Sequence, residues 1–412
     1  TVADLEWWQI YSDPSLISII NETLEHNSDL LAAGDRIRRM KALYGLSEAN
    51  FLPTISAQAY VDHETTDTRG DGVKKEPEAA VKATVAWEVD LWGGLSWNKK
   101  RSAAEFMASV ENERAMRMTL IAEAATAYFT LVALDNELAI VRRTLTTRAE
   151  SLRIAKLRFE GGLTSEIVYR QAQVEFASTA ALIPDLENRI GVTQNALCLL
   201  MGAYPGEVVR RRAVDMQSSV PDSLPVGLPS QLLQRRPDVR AAEQRLRSAM
   251  GSVGVAYADR FPRLTFTLQG GWENDALKGF FRSPFSYVAG QLAAPVFAFG
   301  RKKARYKAAL AAYDESRLGY EQKVLEVFRE TVDAISTYRK LRQTTVLKIH
   351  SRDAALKYVE LARLQYQSGS INYIDVLDAQ RRYFDAQIGL SNAVRDENLA
   401  LVQLYKALGG GW

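Results

Sequence analysis

The side chains that could do chemistry in this chain are carboxylates close to a glycine turn. Asp375 and Asp378 follow Gly369 and lie three positions apart, so they share one face of the helix predicted after the turn. If several copies of such a pair lined a pore, their rings of like charge would attract cations and repel anions. The ordinary alternative is that two aspartates near a helix start interact with the helix dipole or with solvent.

No pattern of residues indicates a catalytic or metal centre. The chain has no GxSxG, Walker loop, HExxH motif or Cys/His cluster, and its three histidines are scattered. Cys198 is the single cysteine and cannot form an intrachain disulfide. The 52 basic and 49 acidic residues nearly balance, which gives no case for nucleic-acid binding. We therefore expect no enzyme, no cofactor, no metal and no nucleic-acid partner.

The elements that must position these carboxylates occur twice in the 412 residues. Pro53 recurs as Pro262, a separation of 209 residues (262 − 53 = 209), and Gly162 recurs as Gly369 at a separation of 207 (369 − 162 = 207). A repeat this long far exceeds a solenoid unit, so the sequence predicts a duplicated half-molecule. Other residues that recur at the first separation are Asp29, Ala32, Ala33, Arg36 and Arg38, which return as Asp238, Ala241, Ala242, Arg245 and Arg247.

The duplication predicts a domain organisation with the same order of elements in each half. The predicted segments are an N-terminal segment with a short helix (1–27), a first repeat (28–204), a connector (205–236) and a second repeat (237–412). The predicted elements are a hairpin at about 52–92 with helices at about 98–160 and 164–202, then a hairpin at about 263–298 with helices at about 301–368 and 371–408.

Each hairpin is recognised by strand alternation. Every second residue from Val81 to Leu91 is apolar, residues 54–62 alternate in the same way, and 63–79 are predicted to be a polar loop. The strands are long enough to span a membrane when tilted, but four strands cannot close a barrel alone. We expect one face toward lipid and one toward a lumen: Val81, Val85, Leu264 and Phe266 outward, and Lys82, Thr84, Glu88, Thr265, Thr267 and Gln269 inward.

The tryptophans near the strands admit two interpretations. Trp87, Trp92 and Trp272 could form an interfacial aromatic belt, or they could be ordinary core residues.

The helices that follow the hairpins are unusually long. Residues 98–160 contain neither proline nor glycine and are rich in strong helix formers, which predicts a helix of about 90 Å. Glycines then break the helices near Gly162 and Gly369. The expected fold is mainly α with a small β part. Three copies would supply twelve strands for a closed transmembrane barrel and a hollow α-barrel of coiled-coil helices.

Several motifs resemble the outer-membrane factor family. They are LLQRRPDVRAAEQRLRSA (232–249), EVDLWGG (88–94), PVFAFGR (295–301) and YQSGSINYIDVLDAQRRYFDAQ (366–387). This is the TolC superfamily, and the closer similarity is to its OprM/CusC-like branch. The resemblance implies a homotrimeric channel in the outer membrane of a Gram-negative bacterium, with outer-membrane lipid around its barrel and its helical part in the periplasm. It also implies an inner-membrane efflux transporter and a periplasmic adaptor as partners, and drugs, metal ions or other solutes as cargo.

The resemblance also implies roles for single residues. Asp375 and Asp378 match aspartates that line the periplasmic constriction, and Tyr366 matches a tyrosine of the closing contacts. Glu166 is the acid nearest to Val168, where a family aspartate would fall.

Other positions at the turns either match or depart from the family pattern. Gly162 and Gly369 mark the turn tips expected to contact the adaptor, and Ile371 stands where members such as TolC have an arginine. Many members carry a lipidated cysteine shortly before the tryptophan pair Trp7-Trp8, whereas this chain has none there, so a lipid anchor is either lost by trimming or absent.

A soluble coiled-coil scaffold with docking hairpins is the alternative to a channel. It accounts for the long helices but not for the length and alternation of the strands.

Overall fold

The computed structural model describes residues 13–68, 72–210, 233–274, 280–293 and 299–410. Within them the fold is mainly helical, with four strands. The first half contains α1 (Pro14–His26), α2 (Ser28–Ala49), β1 (Thr54–Thr68), β2 (Gly72–Val89), α3 (Gly94–Glu160) and α4 (Glu166–Leu200). The second half contains α5 (Pro237–Ala258), β3 (Arg263–Asn274), a 3₁₀ turn (Phe280–Arg282), β4 (Pro284–Ala293), α6 (Arg301–Gln367) and α7 (Tyr373–Leu408). From α2 onward the two halves share one order of elements, as the duplication predicts.

The chain divides by contact into two compact units, and each unit draws on both sequence repeats. The first comprises Thr1–Gly34, Asn112–Val239 and Val324–Trp412. The second comprises Asp35–Glu111 and Arg240–Lys323. The sheet belongs to the second unit, and the turns near Gly162 and Gly369 belong to the first.

The second unit holds an antiparallel sheet in the order β1-β2-β3-β4. Its register places Thr84 opposite Gln269 and Val85 opposite Leu268. Because side chains of directly opposed residues point to the same side of a sheet, the polar and apolar sets predicted from the sequence lie on opposite faces. The apolar face comprises Ile55, Ala57, Ala59 and Val61 of β1, Val81, Ala83, Val85, Trp87 and Val89 of β2, Leu264, Phe266, Leu268 and Trp272 of β3, and Val288 and Leu292 of β4.

The first hairpin is longer than the sequence predicts. Residues 63–79 were expected to form a loop, but β1 continues to Thr68 and β2 begins at Gly72, with Thr65 paired to Lys75. The expectation was wrong because alternation reveals a strand only where one face is apolar. Backbone pairing needs no apolar residue, so polar strands leave no such signal. In the second hairpin, residues 294–298 of the predicted strand lie outside the described residues.

The first unit is built around one large hydrophobic cluster to which α1, α3, α4, α6 and α7 contribute. Leu131 and Leu401 are fully buried there, and burying such a side chain stabilises the fold by about 1.5–3 kcal/mol. Tyr128 is also fully buried and donates a hydrogen bond of 2.6 Å to Asp13. Asp13 caps α1 by accepting the Ser15 backbone N–H, and Pro14 occupies the first position of the helix.

One described helix is apolar and long enough to cross a membrane. An 18-residue stretch of α3 has a mean hydropathy of 1.3, yet 67% of it is buried within the chain. Such burial is typical of a core helix, in agreement with the packing of Leu131 on α3.

Candidate functional site

Two glycine turns in the first unit form the candidate site, and both end a long helix in the same way. Gly162 donates to the Phe159 carbonyl at 3.0 Å, and Leu163 donates to the Arg158 carbonyl at 2.8 Å. Gly369 and Ser370 repeat the pattern at 3.0 and 2.8 Å with the carbonyls of Tyr366 and Gln365. This is the Schellman arrangement, which needs a residue in the left-handed region. Gly162 (φ +67°) and Gly369 (φ +78°) supply it without the strain that a Cβ would add.

The helices beside the two turns contact one another. The Arg158 guanidinium on α3 lies over the Tyr366 ring on α6, 5.4 Å from its centroid. Tyr366 in turn contacts Tyr373 on α7, with ring centroids 5.1 Å apart. The Tyr373 hydroxyl hydrogen-bonds Ser151 of α3, and burial raises the pKa of Tyr373. Two rings and a guanidinium therefore join both helix pairs close to their turns.

A small apolar cluster supports the second turn. Val359, Ala362, Val376 and Ala379 are buried in it, and Ile371 packs against them. Ile371 therefore contributes to packing at the position where the family pattern has a charged residue.

Asp375 takes part in capping the start of α7. Its carboxylate accepts the backbone N–H of Asn372, the residue that caps the helix, at 3.1 Å. This is the role in helix capping that a carboxylate in a first turn ordinarily has.

Asp378 is held by two arginines of its own helix. Arg381 donates to one carboxylate oxygen at 2.6 Å and Arg382 to the other at 2.7 Å. The bond from Arg382, followed by that from Arg381, lowers the pKa of Asp378, so this carboxylate stays charged to a lower pH than an ordinary aspartate. Because one carboxylate faces two guanidinium groups, the local charge at Asp378 is not negative.

Glu166, the first residue of α4, also bonds within its own helix. It accepts a bond of 3.0 Å from Arg170. Among the described contacts, Tyr366 is therefore joined across elements, whereas Asp375, Asp378 and Glu166 are held locally.

Sequence reasoning missed four residues of this site. Arg381 and Arg382 follow Asp378 by three and four positions, so helical spacing could have revealed their pairing. Arg158 and Tyr373 gave no such signal, because their contacts depend on how distant helices pack.

The three tryptophans near the strands are partly exposed and are not ordinary core residues. Trp87, Trp92 and Trp272 are 43%, 46% and 39% exposed. Trp87 stacks on Phe266 of the apolar sheet face at 6.4 Å. Trp7 and Trp8 lie outside the described residues.

No group of three or more His, Cys, Asp or Glu side chains in the described part of the chain is placed to hold a metal ion. The site that the described contacts form is an arrangement of charges and rings at two turns, which can attract or repel ions and hold helices together.

The profile of the outer membrane efflux protein family matches residues 19–203 and 228–410, once in each half of the chain. The chain belongs to this family. It is 31% identical over 412 residues to the solvent efflux pump outer membrane protein SrpC of Pseudomonas putida, with 98% of this chain and 87% of SrpC covered. It is 27% identical over 413 residues to the cation efflux system protein CusC of Escherichia coli, with 98% and 88% covered.

Solved structures of the family share the fold. The outer-membrane channel OprN superposes with a TM-score of 0.93 at 27% identity, covering 99% of this chain and 92% of OprN. The outer membrane efflux protein described here is therefore the outer-membrane channel component of a tripartite efflux pump of Gram-negative bacteria, and it is not an enzyme. The alternative of a soluble scaffold does not agree with this membership.

Proposed function

We propose that this efflux protein works as a passive homotrimeric duct whose barrel is completed between copies. The observation that carries the proposal is the four-stranded sheet with two open edges. Within the described residues, β1 and β4 each pair on one side only. Unpaired backbone groups at a sheet edge are costly in a lipid environment, so the edges need partner strands. Three copies supply twelve strands, an even number suited to a closed barrel.

The two faces of the sheet support the same assembly. The apolar face suits contact with outer-membrane lipid, and large residues such as Ile55, Phe266 and Val288 are exposed on it. The opposite face carries the residues expected in a water-filled lumen, including Thr84, Glu88 and Gln269.

Helix α6 supports association outside the sheet. Leu318, Leu325, Val332 and Val346 lie at heptad positions and are 50–65% exposed, and Arg339 occupies the position between the last two. Apolar residues repeating every seven positions are typical of a helix that packs against another helix. The proposed occupant is a helix of a neighbouring copy, as an α-barrel in the periplasm requires.

For the gate, we propose that Asp375 is the main charge of the periplasmic constriction. Asp378 lies on the same helix face but is neutralised by Arg381 and Arg382. Tyr366 holds the closed arrangement through Arg158 and Tyr373.

Glu166 is a weaker candidate for the constriction. It lies at the other turn, where Arg170 offsets its charge.

The turn tips at Gly162 and Gly369 are the proposed contacts of the periplasmic adaptor. Leu163 and Ile167, beside Gly162, are strongly exposed apolar residues that a partner could cover. An inner-membrane transporter would deliver cargo through this adaptor-bound end. Organic solvents, named for SrpC, and cations, named for CusC, are the cargo classes to test first.

The test combines oligomer mass in detergent with single-channel conductance. A trimer with stable ion flow that resists carbonate extraction is expected. A monomer that carbonate releases, and that carries no current, would disprove the proposal. The variant Leu325→Gln/Val332→Gln should weaken the trimer, whereas Lys340→Gln/Lys348→Gln, exposed on the same helix, should not.

A further inference from the structure

Basic residues gather where the sheet meets the helices of the second unit. The register pairs Thr54 with Ala86, Val89 with Leu264 and Arg263 with Ala293, so all four strands meet the helical region at the same edge. Four helix ends therefore lie at that edge. They are the end of α2, the start of α3, the end of α5 and the start of α6.

The start of α6 is strongly cationic. Its first seven residues, RKKARYK, contain five basic residues and no acidic one. The start of α3 is similar, with Lys99, Lys100 and Arg101 in its second turn and no acidic residue in its first turn. Cations at helix N-termini oppose the helix dipole, so helix stability does not account for them.

Acidic residues at this edge are few and already engaged. The Asp259 carboxylate accepts hydrogen bonds from the guanidinium groups of Arg305 at 2.9 Å and Arg263 at 3.1 Å. Lys302 donates to the Asp259 backbone carbonyl. One carboxylate thus faces several cations, while Arg301 and Lys303 remain exposed on α6.

Aromatic rings lie among these cations. Trp92 stacks on Phe261 at 4.7 Å and donates from its indole N–H to the Pro262 carbonyl at 2.7 Å. The Arg260 guanidinium lies 5.6 Å from the Tyr257 ring and 5.4 Å from the Tyr306 ring. Rings with a polar tip beside an apolar surface are typical of a membrane–water boundary.

We propose that this belt of cations and rings binds the anionic headgroups of phospholipids in the membrane leaflet on the helical side. The belt comprises Lys100, Arg260, Arg301, Lys303, Arg305 and Lys307, with Trp92, Tyr257 and Tyr306. It lies at the end of the sheet, where a bilayer spanned by the strands would change from acyl chains to headgroups. Clustered Lys and Arg beside a membrane-spanning segment attract anionic lipids, and the rings orient at the same depth. The proposal rests on the membrane-spanning orientation of the sheet given under the proposed function.

The test counts lipids on the intact trimer. Purified protein in detergent is titrated with dioleoylphosphatidylglycerol or dioleoylphosphatidylcholine, and bound lipids are counted by native mass spectrometry. The wild type should prefer the anionic lipid, and the preference should fall as salt rises. Arg301→Gln/Lys303→Gln should weaken phosphatidylglycerol binding at least about 5-fold and leave phosphatidylcholine unchanged. Lys340→Gln/Lys348→Gln, which removes the same charge elsewhere on α6, should bind like the wild type.

The conductance of the same preparations distinguishes a failure of the lipid-binding proposal from a failure of the proposed channel assembly. A conducting wild-type trimer that binds both lipids equally, or a belt variant that keeps its lipid preference, would overturn the belt and leave the channel intact. Protein that neither assembles nor conducts would overturn both. The two belt substitutions should spare folding, because removing cations from a helix start favours the helix.

Discussion

The side-chain amide of Asn27 donates a hydrogen bond to the carbonyl oxygen of Leu200 at 2.9 Å. Arg236 donates to the carbonyl of Ala407 at 3.3 Å. The donors are 209 residues apart (236 − 27 = 209) and the acceptors 207 (407 − 200 = 207), so the two contacts are equivalent in the duplicated halves. The first bond links the start of α2 to the end of α4, and the second links the start of α5 to the end of α7. The duplication therefore preserved the contact although the residue type changed.

The first prediction concerns this duplicated contact. Arg236 is 4% exposed and also pairs with Asp238 at 2.6 Å and Glu330 at 2.8 Å. Arg236→Ala should lower the free energy of unfolding by about 2–4 kcal/mol, because it leaves partly buried carboxylates without their partner. Asn27→Ala should cost about 1 kcal/mol, because the Asn27 side chain also caps α2 by accepting the backbone N–H groups of Asp29 and Leu30. Guanidinium titration followed by circular dichroism measures both.

The matched control is Arg247→Ala, an exposed arginine paired with Glu243 on the same helix, α5. It should change stability by less than about 0.5 kcal/mol. Equal effects of the Arg236 and Arg247 substitutions would show that the buried contact is not important for stability.

The second prediction separates the two aspartates of the candidate gate. Asp375→Asn keeps an oxygen that can accept the Asn372 N–H but removes the charge. It should reduce the cation-over-anion permeability ratio by up to about 5-fold, since a unit charge a few ångströms from an ion in water is worth about 1 kcal/mol. Reversal potentials in a KCl gradient measure the ratio.

Asp378→Asn should act differently. Because Arg381 and Arg382 already offset this carboxylate, its removal leaves two unopposed guanidinium groups. The pore should then favour anions. In the wild type, the lowered pKa of Asp378 keeps its carboxylate charged to a lower pH than an ordinary aspartate, so the arginines stay offset there. Unchanged reversal potentials in both variants would remove these residues from the gate.

The third prediction is a pH dependence from Glu137 of α3. This side chain is 8% exposed, with Arg189 and Arg395 each 4.0 Å away. Burial raises the pKa of Glu137, and the two arginines only partly oppose the shift. A folded-state pKa above the unfolded one gives stability at low pH that is lost as pH rises through the folded value.

Glu137→Gln should therefore abolish this loss of stability. Its free energy of unfolding should exceed that of the wild type by a margin that grows as pH rises above the ordinary range of glutamate. Unfolding midpoints at several pH values test this, with Glu187→Gln, half exposed on α4, as the control. A wild type and Glu137→Gln variant with parallel pH profiles would contradict it.

The sequence predicted local features more successfully than tertiary ones. Alternation from Val81 to Leu91 and the absence of helix breakers in 98–160 are local signals, and both elements formed. The contact of Arg158 with Tyr366 depends on the packing of α3 against α6, which no spacing encodes. The equivalence of Asn27 and Arg236 was also missed. A search for recurring residues overlooks a position where an amide in one half and a guanidinium in the other donate the equivalent hydrogen bond.

The last prediction tests which face of the sheet meets lipid. Phe266 and Thr267 are neighbours on β3 and point to opposite faces, with Phe266 opposite Trp87 and Thr267 opposite Ala86. Phe266→Arg should cost about 1–2 kcal/mol, because Phe266 lies three residues inside the edge of the sheet, where an added charge enters hydrocarbon short of the bilayer centre. Thr267→Arg should be tolerated, since a lumen-facing charge stays in water.

Outer-membrane fractions and gel mobility without heating measure how much folded oligomer each variant forms. Both substitutions add the same side chain to the same strand, so strand propensity cannot explain a difference between them. Equal yields would show that neither face lies in hydrocarbon, and a larger loss for Thr267→Arg would reverse the orientation. In the reversed case Lys82 and Glu88, which share a face with Thr267, would both be placed in lipid. Burying those two charges is costly, and this cost is the physical reason for expecting the loss at Phe266.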